Sequence, residues 1–210
     1  VGTGNGSPWD WFHRSDGQGD NLFLSSIVAL NPDNGEYVWH YQTTPGDDWD
    51  YTATQQLVLT DMEIEGQQRK VIMQAPKNGF FYVLDRQTGK LISAEPYTYM
   101  NWATGVDKVT GRPIETDFSR YKNENRVISP GPVGGHNWQP MAYNPTTGLM
   151  YFPAHVSSFS FGNDSIWKFN EKGRNISTPI DHLPTIADPN RPENMNQGQL
   201  LAWNPQTQKE

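Results

Sequence analysis

Four short stretches carry side chains able to do chemistry: GTGN (Gly2 to Asn5), TPGDDWDYTA (Thr44 to Ala53), APKNG (Ala75 to Gly79) and GGHNW (Gly134 to Trp138). The second crowds three carboxylates, Asp47, Asp48 and Asp50, around Trp49 at the mouth of a strand-like run. A carboxylate within hydrogen-bond reach of a hydroxyl can take its proton. Two carboxylates roughly 5 to 10 Å apart can instead run glycoside hydrolysis, and the Asp48/Asp50 pair keeps that reading open. Read by turn chemistry alone, Asp47 and Asp48 are solvated turn residues with no chemical role. By the same logic Asn5, between two glycines, is a turn residue, and Lys77 is a surface lysine ahead of an Asn78-Gly79 hairpin turn. None of the five histidines, His136 among them, pairs with another at metal-ligand spacing, so they read as structural. With no cysteine the chain holds no disulfide, thiolate metal site or CxxCH haem attachment.

The elements that must position these residues are strands. The chain has 210 residues, 35% hydrophobic and 12% aromatic, enough for one sizeable core, and its 19 glycines and 16 prolines fall in short clusters between apolar runs. That punctuation is all-β, with no long helix. Three segments share a plan: VALNPDNGEYVW from Val28, YVLDRQTGKLIS from Tyr82 and MAYNPTTGLMYF from Met141 each run from a strand end through Asn31, Asp85 or Asn144 to a glycine four residues on. A fourth, LLAWNPQTQKE from Leu200, has Asn204 in the same place and ends before its returning strand is complete. Recurrence at roughly 55 to 60 residues marks an array of four-stranded units, each burying its faces on its neighbours, and predicts about three blades of a β-propeller. A β-sandwich with repeated hairpins is the plainer alternative. An Asp-box propeller does not fit, because Asn31 lacks the serine of that signature and Trp39 lies one residue too far from Gly35. Both ends fall in mid-pattern, so residues 1–210 are expected to be one partial propeller domain, a central fragment. A net charge of −7 without a Lys/Arg cluster argues against nucleic acid, and no apolar run approaches the roughly 18 residues of a membrane helix.

The corner pattern Asn/Asp-x-x-x-Gly-x-x-x-Trp resembles the tryptophan-docking motif of the quinoprotein alcohol dehydrogenases, eight-bladed propellers with pyrroloquinoline quinone (PQQ) on the axis. GTGNGSPW, GDNLF, WHYQTTPGDDWDY, APKNGFFYVLDRQTGK, PYTYMNWATGVD and GGHNWQPMAYNP are similar to that family in the same order, from Val1 to about Pro153, and look closer to its quinohaemoprotein ethanol dehydrogenases than to its methanol dehydrogenases. The resemblance implies oxidation of a primary alcohol to an aldehyde, with electrons passed to cytochrome c or a quinone, in the periplasm. It makes Asp50 the catalytic base and a calcium ligand, Asn5 the amide calcium ligand, and Lys77 the cation at the reactive edge of PQQ. Asn137 and Trp138 become residues at the quinone, with Trp9 a further candidate for the aromatic wall. It also implies that the glutamate ligand and the vicinal cysteines precede GTGN. Lanthanide-using relatives carry an aspartate two residues after the base; Thr52 stands there, so the resemblance implies Ca²⁺. The alternative from another class is a non-catalytic propeller scaffold, which needs the Gly and Trp corners but not Asn5, Asp50 and Lys77 together.

Overall fold

The structure, a computed structural model, describes residues 1–179, 187–193 and 197–210. Its organising sheet has four antiparallel strands in the order β3 (Val58–Ile64), β4 (Gln67–Gln74), β5 (Phe80–Asp85), β6 (Leu91–Pro96). Strand β5 reads FFYVLD, apolar on both alternating faces, so the sheet has no side that can be left to water. Phe80, Tyr82 and Leu84 face one core, packed with Trp39, Tyr41, Trp49, Tyr51, Trp102 and Tyr121. Phe81 and Val83 face a second core, with Met73, Tyr97, Met150, Phe152, Leu201 and Trp203.

What covers the two faces is more sheet. The first core is closed by the pair β1 (Ser26–Leu30) and β2 (Tyr37–Gln42), the second by a three-stranded sheet of β10 (Ala142–Asn144), β11 (Leu149–Val156) and β13 (Gln197–Trp203). Two ribbons, β7 (Ala103–Val106) with β8 (Pro113–Glu115) and β9 (Arg126–Ile128) with β12 (Phe159–Phe161), add Ala103, Ile128 and Phe161 to the first core. Sheet packed on sheet in this way is the β-propeller plan. The expected three blades are one complete four-stranded blade flanked by two partial ones. One short helix, α1 (Trp11–Ser15), is capped by Asp10, whose side chain accepts from the Phe12 and His13 N–H groups. Among the described residues no helix is long and apolar enough to cross a membrane.

The repeated corner is a single hydrogen-bonded device. In each of the three segments the glycine N–H donates to the carbonyl of the Asn or Asp four residues earlier, at 2.8–2.9 Å, while that residue's side chain accepts from one or two N–H groups in between. Asp107 to Gly111 forms a further copy that periodicity from the tryptophan corner passed over. At Asn204 the corner does close, through a bridge to Lys209, with Gln208 at φ +56° in place of glycine. The corners dock between blades. Trp39 donates its indole N–H to Arg86 O at 3.2 Å, and its ring lies so close to Gly89 that a Cβ there would come within 2.5 Å of it.

Gly89 (φ +72°) and Gly35 (φ +76°) therefore separate backbone strain from packing, because nothing lies within 4 Å of a Cβ at Gly35. Gly35→Ala should cost about 1–2 kcal/mol from the left-handed backbone alone. Gly89→Ala should cost about 1–3 kcal/mol more, because Trp39 must move. Urea unfolding of the two variants side by side checks this; equal losses would show that the indole does not dock on Gly89.

Candidate active site

After β2 the chain turns inward and buries its acidic cluster instead of solvating it. Asp47 and Asp48 are both fully buried, which corrects their reading as solvated turn residues. The reason is that each carboxylate finds backbone donors inside. Asp47 Oδ1 accepts from Trp49 N at 3.2 Å and Tyr51 N at 3.0 Å. Asp48 Oδ1 accepts from Trp11 N, at the start of α1, at 2.6 Å, and its Oδ2 lies 3.4 Å from Arg120 Nη1. Arg120 is itself held between aromatic rings, 4.4 Å from the centroids of Trp11 and of Trp49, and pairs with Glu115 at 2.6 Å. Trp49 donates to Ser119 O at 2.9 Å and packs against Trp102, so the turn is bolted to the first core. Loss of hydration pushes Asp47 up to about 7, and Asp48 up to about 6 against the pull of Arg120. With Asp48 buried and committed in this way, the Asp48/Asp50 pair does not offer a substrate two carboxylates within reach.

Asp50 is the member of the cluster that stays partly open. Its backbone is left-handed, φ +64°, and its Oδ2 forms an ion pair with Lys77 Nζ at 2.9 Å. Lys77 also donates to Asp50 O at 3.1 Å. Burial raises the Asp50 carboxyl above its ordinary value, although Lys77 opposes the rise. Lys77 sits on the β4–β5 loop, buried, and so is not the surface hairpin lysine that KNG alone suggests. Asn78 anchors that loop by donating to Thr43 O, Thr44 Oγ1 and Tyr82 Oη. Over the lysine lies the Gly134-Gly135 turn: Gly135 N donates to Lys77 O at 2.9 Å, and a Cβ at Gly134 would come within 2.7 Å of Lys77 Cα.

The GTGN stretch reaches the same region through the backbone. Ala53 N donates to Thr3 O at 3.0 Å, and Ser25 joins Gly4 O to Tyr51 O. Asn5 donates its amide N–H to Gly6 O at 3.0 Å, and its amide oxygen accepts no hydrogen bond among the described residues. Asp50 Oδ1 is likewise without a protein donor among them. An amide oxygen and a carboxylate oxygen are hard donors suited to a cation such as calcium. Among the described residues no three His, Cys, Asp or Glu side chains converge on a metal position. Asn137 donates to Val133 O within its own turn, and Trp138 is 80% exposed; no hydrogen bond or ring contact joins either to Asp50 or Lys77. Trp9 packs 6.5 Å from Phe161, at the edge of the core. His136 is buried, with Nδ1 2.6 Å from Pro153 O, in keeping with a structural role. Sequence reasoning passed over Arg120 and Trp11, which no motif marks.

Comparison with known proteins supplies the family. Residues 1–96 match the model for the glucose/ethanol/alcohol dehydrogenase β-propeller domain of PQQ proteins. The whole chain is 50% identical to the quinohemoprotein alcohol dehydrogenase ADH IIB of Pseudomonas putida, over 30% of that protein's length. It superposes on the crystal structure of the Comamonas testosteroni quinohemoprotein alcohol dehydrogenase with a TM-score of 0.90 at 48% identity, covering 100% of this chain and 31% of that one. The chain belongs to the PQQ-dependent dehydrogenase family. A europium-containing methanol dehydrogenase is more distant within this fold, with 30% identity and a TM-score of 0.88 over 99% of this chain and 35% of that one. The chain thus spans about 30% of the length of the curated relatives it matches.

The raised Asp47 carboxyl has a sign that can be measured. The ordinary value is 3.8 and the folded value about 7, so between those limits the folded chain keeps a proton that the unfolded chain has released. Its contribution to stability is full below pH 4 and is lost as pH rises through about 7. Relative to the natural chain, Asp47→Asn should therefore gain stability on going from pH 4 to pH 8, by about 3–4 kcal/mol. Denaturant titrations at the two pH values check it; an unchanged difference would place the Asp47 carboxyl near its ordinary value.

Proposed function

We propose that the protein carrying this chain oxidises a primary alcohol to an aldehyde with PQQ as hydride acceptor, and that Asp50 and Lys77 carry the reaction. The supporting observation is their 2.9 Å ion pair, formed on two loops at one end of the blades, with side chains 18% and 10% exposed. PQQ, when bound, supplies an electrophilic carbonyl carbon that accepts hydride from the alcohol carbon. Asp50 Oδ1 takes the hydroxyl proton, while Lys77 holds Oδ2 and so aims the other oxygen. The raised Asp50 carboxyl suits that task, being a stronger proton acceptor than a free aspartate. Lys77 Nζ has donors to spare for a quinone oxygen. Trp138, exposed beside the turn over Lys77, is available to a planar ligand, and Asn137 braces that turn. A calcium ion would rest on Asp50 and Asn5 and polarise the reacting carbonyl.

For the electron acceptor we favour cytochrome c over a quinone, because a relative 47% identical is named 1-butanol dehydrogenase (cytochrome c), from Thauera butanivorans. Other relatives are named alcohol dehydrogenase (quinone), at 44–46% identity, so quinone is the second possibility. A periplasmic setting is carried over from the family resemblance. A scaffold propeller would have no use for a lysine and an aspartate paired in this way between two loops.

Two substitutions in the full enzyme test the reading. Asp50→Asn should keep the fold and lower turnover by about 100- to 10,000-fold, since the amide is no base. Lys77→Ala removes a charge-assisted hydrogen bond of about 1.5–3 kcal/mol, so PQQ affinity should fall about 10- to 100-fold along with the rate. Near-normal turnover in Asp50→Asn would remove it as the base, and unchanged PQQ binding in Lys77→Ala would leave the lysine a partner of Asp50 only.

The metal is tested separately. Thr52 is buried, its hydroxyl bonded to Thr54 and Gln55, and it supplies no carboxylate. Metal-free enzyme reconstituted with PQQ should be activated by calcium and not by lanthanum, and Thr52→Asp should shift that preference toward lanthanum. Equal activation of the unmodified enzyme by lanthanum would overturn calcium as its metal.

A further inference from the structure

The unusual feature next to the Asp50–Lys77 pair is the backbone that presents it. Asp50 is not glycine, yet it is held at φ +64°, a conformation that disfavours a residue with a Cβ. Such a residue stays put only if its surroundings hold it. The residues on both sides of Asp50 are tied to one atom: Trp49 N and Tyr51 N both donate to Asp47 Oδ1, at 3.2 and 3.0 Å. Asp47 is fully buried, so no water competes for those two donors. The anchors beyond them are equally fixed. Trp49 is tied to Ser119 O, Tyr51 Oη donates to Pro130 O at 2.6 Å, and Arg14 donates to the Asp47 carbonyl.

We propose that Asp47 is a positioning residue for catalysis: its Oδ1 clamps the N–H groups of Trp49 and Tyr51, the residues before and after Asp50, and so holds the Asp50 carboxylate against Lys77 in the left-handed turn. The inference rests on the reading of Asp50 as the base, but it concerns a different residue and a different interaction. Without the clamp, two buried N–H groups lose their acceptor and the turn relaxes toward negative φ. The Asp50 carboxylate then leaves the lysine. What the clamp requires is an acceptor oxygen, not a charge. Asparagine keeps that oxygen in nearly the same volume and alanine does not.

The test uses the full PQQ-loaded enzyme with Asp47→Asn, Asp47→Ala and Asp50→Asn compared together. Amide hydrogen exchange at Trp49 and Tyr51 reports the clamp directly, and steady-state kinetics separate kcat from KM. Asp47→Ala should lose protection at both amides and lose about 10- to 100-fold in kcat with KM little changed, which is the effect of a misplaced base rather than a damaged pocket. Asp47→Asn should restore both protection and kcat to within a few-fold of the natural enzyme. Full turnover in Asp47→Ala, with Asp50→Asn inactive, overturns the clamp and leaves the base. Turnover that survives Asp50→Asn overturns the base and this inference with it. Should Asp47→Ala fail to fold, Asp47→Asn decides alone: a loss of kcat beyond tenfold with both amides still protected would show that the enzyme needs the charge, and the clamp would be overturned.

Discussion

A strand with aromatic side chains on both faces is the constraint from which the rest follows. Phe80, Tyr82 and Leu84 point one way from β5, and Phe81 and Val83 the other. Neither set can be left in water, so the central sheet must be covered on both sides, and the coverings available are the sheets before and after it in the chain. Propeller geometry follows. The loops at one end of the blades are then brought side by side, and a lysine after β4 meets an aspartate after β2 although 27 residues separate them.

That rigidity is what allows charge to be kept out of water. A carboxylate or ammonium removed from solvent is penalised by several kcal/mol unless its partners are already in place. Here they are, on backbone and rings fixed by the two cores. Asp48 meets Arg120 and the Trp11 N–H, Asp47 meets two peptide N–H groups, and Arg120 lies between two indoles. The compensation is incomplete, as the raised carboxyls of Asp47, Asp48 and Asp50 show: desolvation is the largest influence on each. A half-buried carboxylate that prefers to be charged less than a free one is a better proton acceptor, which is what the proposed role of Asp50 calls for.

Much of this was readable in the chain. The alternation of β5, the Asn/Asp corners and their glycines encode the strands and turns locally, because side-chain direction in a strand and the conformational demands of a tight turn depend on near neighbours only. The identity of Asp50, Asn5 and Lys77 as residues of interest came from motifs resembling a known family, and their order along the chain was enough to single them out. Burial was not readable. DDWD has the composition of a solvated turn, and only the closing of Trp49 onto Trp102 and Ser119 decides that Asp47 and Asp48 lie inside. KNG has the composition of a surface hairpin, and only the Gly134-Gly135 turn and Asp50 decide that the lysine is covered and paired. Arg120 carries no motif at all, since a cation–π clamp is made by rings that are distant in the chain. The local sequence determined which elements form and which side chains have the chemistry. The tertiary structure decided which charges lose their water and which partners replace it, because hydration and electrostatic pairing depend on everything within a few ångströms, whatever its place in the chain.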